Sequence, residues 1–278
     1  MRKAHRSKCY DVRVRVDKSA WRPRACIVHK SRGATIMPMQ TFPRSVVSIA
    51  ALVLCCFAVP GIAADPPAKQ QGANTDPAKR GTSPSTEGVA QAALADQIAR
   101  HADRTKDVLA MIAAARLLGQ VSPRAVKHEM RTEGTPKPGA KPAAGSARDT
   151  TVAGLLARAK QYAGGRNDLN GVIDEVSKTV AKGREDGPAR SVSRLEPGVS
   201  EVYTVKFNGN EPSMAAITGE GETDLDLFVE DDKGNQICRS TSAVDDEICR
   251  WTPKWSGVFR IRVRNIGPAA SEYRLWTN

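Results

Sequence analysis

The chain has 278 residues, 26% of them charged and only 5% aromatic, with a formal net charge of +12. Such a surplus ordinarily points to nucleic acid or an anionic membrane surface, but it sits at one end: residues 1–36 hold 11 Lys/Arg against 2 Asp/Glu, and Arg44 adds one more positive charge. From Asp65 onward only +2 remains, which removes the electrostatic case for a nucleic-acid partner.

Behind Arg44 runs a 15-residue apolar tract, Ser45 to Val59 (SVVSIAALVLCCFAV), followed by the small residues Gly61, Ala63 and Ala64. A basic residue, an apolar core too short to span a bilayer comfortably and then small residues are the layout of a secretory signal. The mature chain is expected to begin near Asp65 and to work in the periplasm or outside the cell, with no stable membrane span after cleavage. The tract lies far from Met1, whereas Met37 or Met39 would each give a conventional start. Residues 1–36 therefore read as an over-long upstream extension, the alternative being a real cytoplasmic one.

The six cysteines divide in the same way. Cys9 and Cys26 lie in the extension, and Cys55 and Cys56 lie inside the apolar tract, where bulky Leu54 argues against lipidation. Cys238 and Cys249 remain, and an even pair in an oxidising compartment reads as a disulfide. A zinc site would need two further ligands, and no histidine lies within a hundred residues of the pair.

Residues 65–88 are mostly Pro, Ala, Gly, Lys, Gln, Ser and Thr with almost nothing large and apolar, the composition of a disordered spacer. Helical periodicity is expected from Val89, with Leu94, Ile98 and Ala102 on one face, and again from Val108 to Leu118, with Thr105 or Asp107 available to cap a second helix, the alternative being one long helix. Residues 132–149 (TEGTPKPGAKPAAGSARD) read as a flexible linker. Helical pattern returns at Val152, Leu155, Leu156 and Ala159, breaks at Gly164 and Gly165, and resumes with Leu169, Val172, Ile173 and Val176. Aligning Asp107 with Asp168 sets Leu94 over Leu155 and Ile112 over Ile173, a weak echo of a duplicated hairpin. The thin apolar stripes of residues 89–186 are expected to pack on one another as a small bundle; the alternative is a docking surface for a partner.

After Gly187 and Pro188 the period falls to two. Val199–Phe207 alternates, Leu225, Leu227 and Val229 share a face, Phe259, Ile261 and Val263 alternate with Arg260, Arg262 and Arg264, and Tyr273 and Leu275 repeat the scheme. Turn residues at 231–235, at Pro253 with Gly257, and at 265–268 separate these runs. The fold class expected is α+β: a small helical region followed by an antiparallel, jelly-roll-like β-sandwich over residues 190–278.

The segments TDLDLFVEDDKGN (residues 223–235), WTPKWSGVFRIRVRN (residues 251–265) and SEYRLWTN (residues 271–278) resemble the bacterial pre-peptidase C-terminal domain, over about the last third of the chain. The resemblance rests on the D-x-D-L-x-V strand, the D-x-x-G-N hairpin and the P-x-x-x-G-x-[FY] turn in that order. It implies a non-catalytic accessory module on exported proteins, which in some relatives binds matrix or substrate, helps secretion or binds calcium. A fold resemblance does not carry a ligand with it, and the cysteine pair lies outside the pattern.

Two surfaces stand out. Asp224 and Asp226 point one way along a strand, and a later loop supplies Asp245 and Asp246, so that Ca²⁺ is the one cofactor the carboxylates suggest, against a solvated acidic surface. Arg260, Arg262 and Arg264 form a stripe, with Trp255 nearby in sequence, and such a surface suits a glycan or an anionic envelope polymer, against a plain exposed strand face. Catalysis finds no footing: His101 and His128 lie in no G-x-S-x-G, H-E-x-x-H or Cys-His context. The reading is an exported non-catalytic binding module. Its competitors are a structural adaptor whose helices dock a partner and a calcium-stabilised accessory domain of a secreted hydrolase system.

Overall fold

The structure, a computed structural model, describes residues 72–79, 81–138, 148–180 and 187–278. The apolar tract and Cys9, Cys26, Cys55 and Cys56 lie outside the described residues.

Helix α1 (Pro84–Thr105) starts five residues earlier than the apolar periodicity indicates, because its first turn is set by capping and not by burial. Ser83 Oγ accepts from the Thr86 N–H at 3.3 Å, Thr86 Oγ1 accepts from the Ser83 N–H at 2.8 Å, and Pro84 fills the first helical position, where no N–H is needed. The chain breaks at Lys106 in a left-handed conformation (φ 57°), and Asp107 caps α2 (Val108–Val121) by accepting from the Ala110 N–H at 3.0 Å. Thr151 caps α3 (Val152–Ala163), and α4 (Asn167–Val180) follows after the Gly164–Gly165 break.

The face that α1 buries is alanine: Ala92, Ala95, Ala99 and Ala102 are inaccessible or nearly so, whereas Leu94 is 48% exposed. Small side chains let neighbouring elements approach closely, so of the expected stripe Ala102 is buried and Ile98 packs against the core, while Leu94 turns to solvent. Leu155, its counterpart in the duplicated-hairpin alignment, is fully buried, so the two positions are not equivalent.

The strands form two five-stranded sheets among the described residues. One contains β1 (Arg124–Ala125), β3 (Ala189–Leu195), β10 (Ser271–Thr277), β5 (Ser213–Thr218) and β8 (Asp246–Trp251), in that spatial order. The other contains β2 (Glu129–Glu133), β4 (Ser200–Phe207), β9 (Gly257–Asn265), β6 (Leu225–Asp231) and β7 (Gln236–Ser240). Apart from the β6–β7 hairpin, consecutive strands alternate between the sheets. Pairing is antiparallel except between β1 and β3, which run parallel. The sandwich core is the inward set of this alternation, including Tyr203, Phe207, Leu225, Leu227, Val229, Phe259, Ile261, Val263, Tyr273 and Leu275. The fold is therefore α+β with a β-sandwich.

Three features differ from the sequence reading. The sandwich takes two strands from residues 124–133, outside residues 190–278, the second of them running into the first two residues of the expected linker. The helices do not form a bundle apart from it: Met214 and Ala216 of β5 and Trp276 of β10 enter the same apolar cluster as Met111, Leu118, Leu155 and Ile173, and α1 packs on β5 and β10. Residues 72–79, assigned to the spacer, hold the end of the sandwich. Asn74 is 1% exposed. Its N–H donates to Asp231 at 3.0 Å, its Nδ2 to the Trp255 carbonyl at 3.0 Å, and its Oδ1 accepts from the Lys254 N–H at 2.9 Å. Polar composition does not exclude order where backbone turns supply the partners.

Candidate functional site

One sheet is covered by α1; among the described residues no helix packs on the outward face of the other, where Thr204, Lys206, Arg239 and Arg264 are exposed. Register builds its rows. Arg131 on β2 pairs with Val202 on β4, Val202 with Arg262 on β9, Arg262 with Phe228 on β6, and Phe228 with Arg239 on β7. A single row across five strands thus alternates arginine with an apolar side chain. The Arg239 guanidinium lies over the Phe228 ring at 5.8 Å. The neighbouring rows set Ser200, Arg264 and Asp226 side by side, and Thr204, Arg260 and Glu230.

Glu133 neutralises part of this belt: its carboxylate takes Arg131 at 2.9 Å and also pairs with Arg262. The hydrogen bond from Arg262, reinforced by the two positive charges, holds the Glu133 carboxyl below its usual range. Arg260 and Arg264 have no carboxylate within ion-pair distance among the described residues. The middle of the face is a concavity of about 500 Å³ bordered by Ser200, Phe228, Glu230, Gln236, Arg262 and Arg264. Its rim is the close approach of Gly134 (φ 91°) to Gly198 (φ 82°), where a Cβ on Gly134 would lie 2.8 Å from the Gly198 carbonyl oxygen.

The residues singled out in sequence fall in three places. Arg260, Arg262 and Arg264 share this face. Trp255 does not join them: it lies in the turn before β9, half-exposed, with its backbone held by Asn74. Trp251 is a core residue against Phe207, with ring centroids 4.8 Å apart, and Trp276 is buried under α1. Arg131, Arg239 and Phe228 complete the belt, brought there by strand register.

The four carboxylates suggested for calcium do not converge. Asp245 and Asp246 receive Arg100 of α1, whose Nη1 lies 3.4 Å from Asp245 and 3.0 Å from Asp246. Asp226 stands in the arginine face beside Arg264, and Asp224 lies two residues ahead of it. Burial, with the Asp224 charge added, pushes the Asp226 carboxyl up, and burial does the same to Asp245. Among the described residues no group of three or more His, Cys, Asp or Glu side chains is placed to hold a metal ion.

Cys238 on β7 and Cys249 on β8 are joined, with a Cα–Cα distance of 5.8 Å. These strands belong to opposite sheets, so the link is a clamp between layers and not a staple within one. His101 is exposed on α1, while His128 stands edge-on to Tyr203 with centroids 6.4 Å apart. Burial, with the Arg124 charge nearby, lowers the His128 pKa. Among the described residues no helix is long and apolar enough to cross a membrane.

No protein-family model matches the sequence, and no curated protein matches it. Among solved structures, the pre-peptidase C-terminal domain of the collagenase from Bacillus anthracis is 12% identical, covering 33% of this chain and 89% of its own, with a TM-score of 0.27. A de novo designed double-stranded β-helix is 21% identical over 32% of this chain and 97% of its own, with a TM-score of 0.22. The Yersinia pseudotuberculosis-derived mitogen is 14% identical over 32% of this chain and 85% of its own, with a TM-score of 0.20.

Proposed function

We propose that this protein is an exported, non-catalytic binding module that receives an anionic polymer of the cell envelope, a carboxylated glycan, on the arginine face of β9. The observation that carries the reading is the pairing pattern of the belt. Arg131 and Arg262 share Glu133, while Arg260 and Arg264 keep guanidinium groups without an ion-pair partner among the described residues, on a sheet face that no helix packs against. Guanidinium forks match carboxylates bidentately, and successive outward positions of one strand lie about 6.7 Å apart, a spacing suited to repeated charges on a linear chain. Phe228, stacked by Arg239, offers an apolar platform for a sugar ring.

Export is supported by the signal-like tract and by the Cys238–Cys249 link, which suits an oxidising compartment. The motif order of the last third of the chain, which resembles the pre-peptidase C-terminal domains, supports a module of this accessory kind. The adaptor reading loses ground because the alanine face of α1 is occupied by the chain's own sheet.

Titration with polygalacturonate, using dextran as the uncharged control, tests the reading by calorimetry. The protein should bind the polyuronate and not dextran, with an affinity that falls as salt is raised. Arg260→Glu with Arg264→Glu should weaken binding by at least about tenfold, or ~1.4 kcal/mol. Equal affinity in the double variant, or no polyuronate binding at low salt, overturns it.

A further inference from the structure

The sandwich is incomplete along one edge. Strand β3 is paired with β10 throughout Ala189–Leu195, but on its other side β1 accompanies only Ala189 and Arg190. After Ala125 the chain leaves this sheet and crosses to the opposite one, where β2 pairs with β4. Among the described residues no strand lies beside Ser191–Leu195, and a cleft of about 760 Å³ lies there, bordered by Val126, His128, Met130, Ser191, Val192 and Tyr203.

The backbone of β3 faces this cleft in a definite register. The Arg124 N–H donates to the Pro188 carbonyl at 3.1 Å and the Val126 N–H to the Arg190 carbonyl at 2.9 Å, so even-numbered residues turn their backbone groups to this side. Val192 and Arg194 continue the series, and their N–H and C=O groups find no partner among the described residues. Natural edges are commonly blunted by proline, bulges or charged side chains. Here Ser191–Leu195 contains no proline, its pairing with β10 has no register shift, its one charge, Arg194, is paired with Glu196 at 3.8 Å, and Val192 is 48% exposed.

We propose that this edge is a docking site for an extended acidic polypeptide segment, which adds as a strand beside β3. An edge with free, regularly spaced donors and acceptors selects an extended backbone in preference to a helix or a glycan. Val192 and Met130, 48% and 41% exposed, supply apolar contacts for alternate side chains. Charge favours an acidic partner: exposed Lys127 borders the cleft and exposed Arg124 stands beside it, against one carboxylate, Glu129, while Arg190 is held over the Trp276 ring and by Thr150. This surface is separate from the arginine face of β9 and stands independently of the polymer reading.

The test uses the full chain and a fluorescein-labelled peptide of alternating Glu and Val, with a second peptide in which proline replaces each Val. The first should bind and slow hydrogen exchange at the Val192 and Arg194 amides, and the second should not bind. Val192→Pro removes an outward N–H while leaving the β10 ladder intact. It should weaken binding about five- to tenfold, as loss of a backbone hydrogen bond implies. Lys127→Glu, a surface change outside β3, should also weaken binding, which keeps the test informative if Val192→Pro fails to fold. Absence of binding at millimolar peptide, affinity unchanged in both variants, or protection confined to other amides overturns the proposal. Protection of the same two amides by raised protein concentration alone would mean that a second copy fills the edge, and overturns it equally.

Discussion

The Trp276 indole Nε1 donates to the Asp96 carboxylate at 2.9 Å, joining the last strand to the first helix across 180 residues of sequence. The same oxygen accepts from Thr218 Oγ1 at 2.7 Å and lies 3.2 Å from Arg274 Nε. A buried acid thus ties helix to sheet within a largely apolar contact, beside the second polar tie that Arg100 makes to Gly219 and Asp246. Asp96→Ala would leave buried Arg274 with only the more distant Glu272 carboxylate, 3.7 Å away, and should cost about 3 kcal/mol, the lower end of the penalty for breaking a buried pair from one side. Asp96→Asn, which retains an acceptor, should cost less. Guanidinium unfolding measures both. A single cooperative transition for helices and sandwich together is expected, and a separate early helical transition in the parent protein would contradict the shared core.

The Cys238–Cys249 clamp closes a loop with a sequence separation of 11 and joins the two sheets at the edge opposite the β1–β2 crossing. Loop closure of this length is worth about 2–3 kcal/mol through the unfolded chain. Replacing both cysteines with serine should lower the unfolding free energy by that amount, and reductant should reproduce the loss in the parent protein. Unfolding curves indifferent to reductant would remove the clamp from the account.

How much of this could be read beforehand follows from burial. Strands β6 and β9 bury one face each, so Leu225, Leu227 and Val229, and Phe259, Ile261 and Val263, declare themselves by period two. Strand β5 (SMAAIT) is buried on both sides, with Met214 and Ala216 towards the helices and Ala215 and Ile217 towards the sandwich, and so has no alternation to detect. Strands β1 and β2 are exposed or nearly so, and only backbone pairing with β3 and β4 defines them. The arginine stripe was legible because it lies on one strand. Its partners Arg131, Phe228 and Arg239 come from three others and depend on register, which composition does not reveal.

Asp226 offers a pH test. Burial, with Asp224 adding like charge, raises its carboxyl pKa above the ordinary 3.8, and Arg264 offsets only part of this. The folded chain then holds this proton more tightly than the unfolded chain does, so ionised Asp226 costs stability at neutral pH. That cost declines as pH falls through the raised folded value and vanishes below the unfolded one. Asp226→Asn should therefore be more stable than the parent at pH 7, with the difference closing towards about pH 4. Urea unfolding at the two pH values checks this, and a gap that widens on acidification would reverse the sign.

Arg100 decides what calcium can do. It donates to the Gly219 carbonyl at 2.7 Å and lies 3.0 Å from Asp246 and 3.4 Å from Asp245, so α1 already supplies the positive charge that these carboxylates would otherwise take from a cation. Asp245 also accepts from the Gly221 N–H, which uses a lone pair a metal would need. Millimolar Ca²⁺ should leave the unfolding midpoint of the parent protein unchanged. Arg100→Gln should lose about 2 kcal/mol, the scale of hydrogen bonds to charged groups, since its side chain is 15% accessible and not wholly desolvated. A calcium-dependent rise in the parent midpoint would mean that the cation displaces the guanidinium, and that Asp245 and Asp246 bind metal in competition with α1.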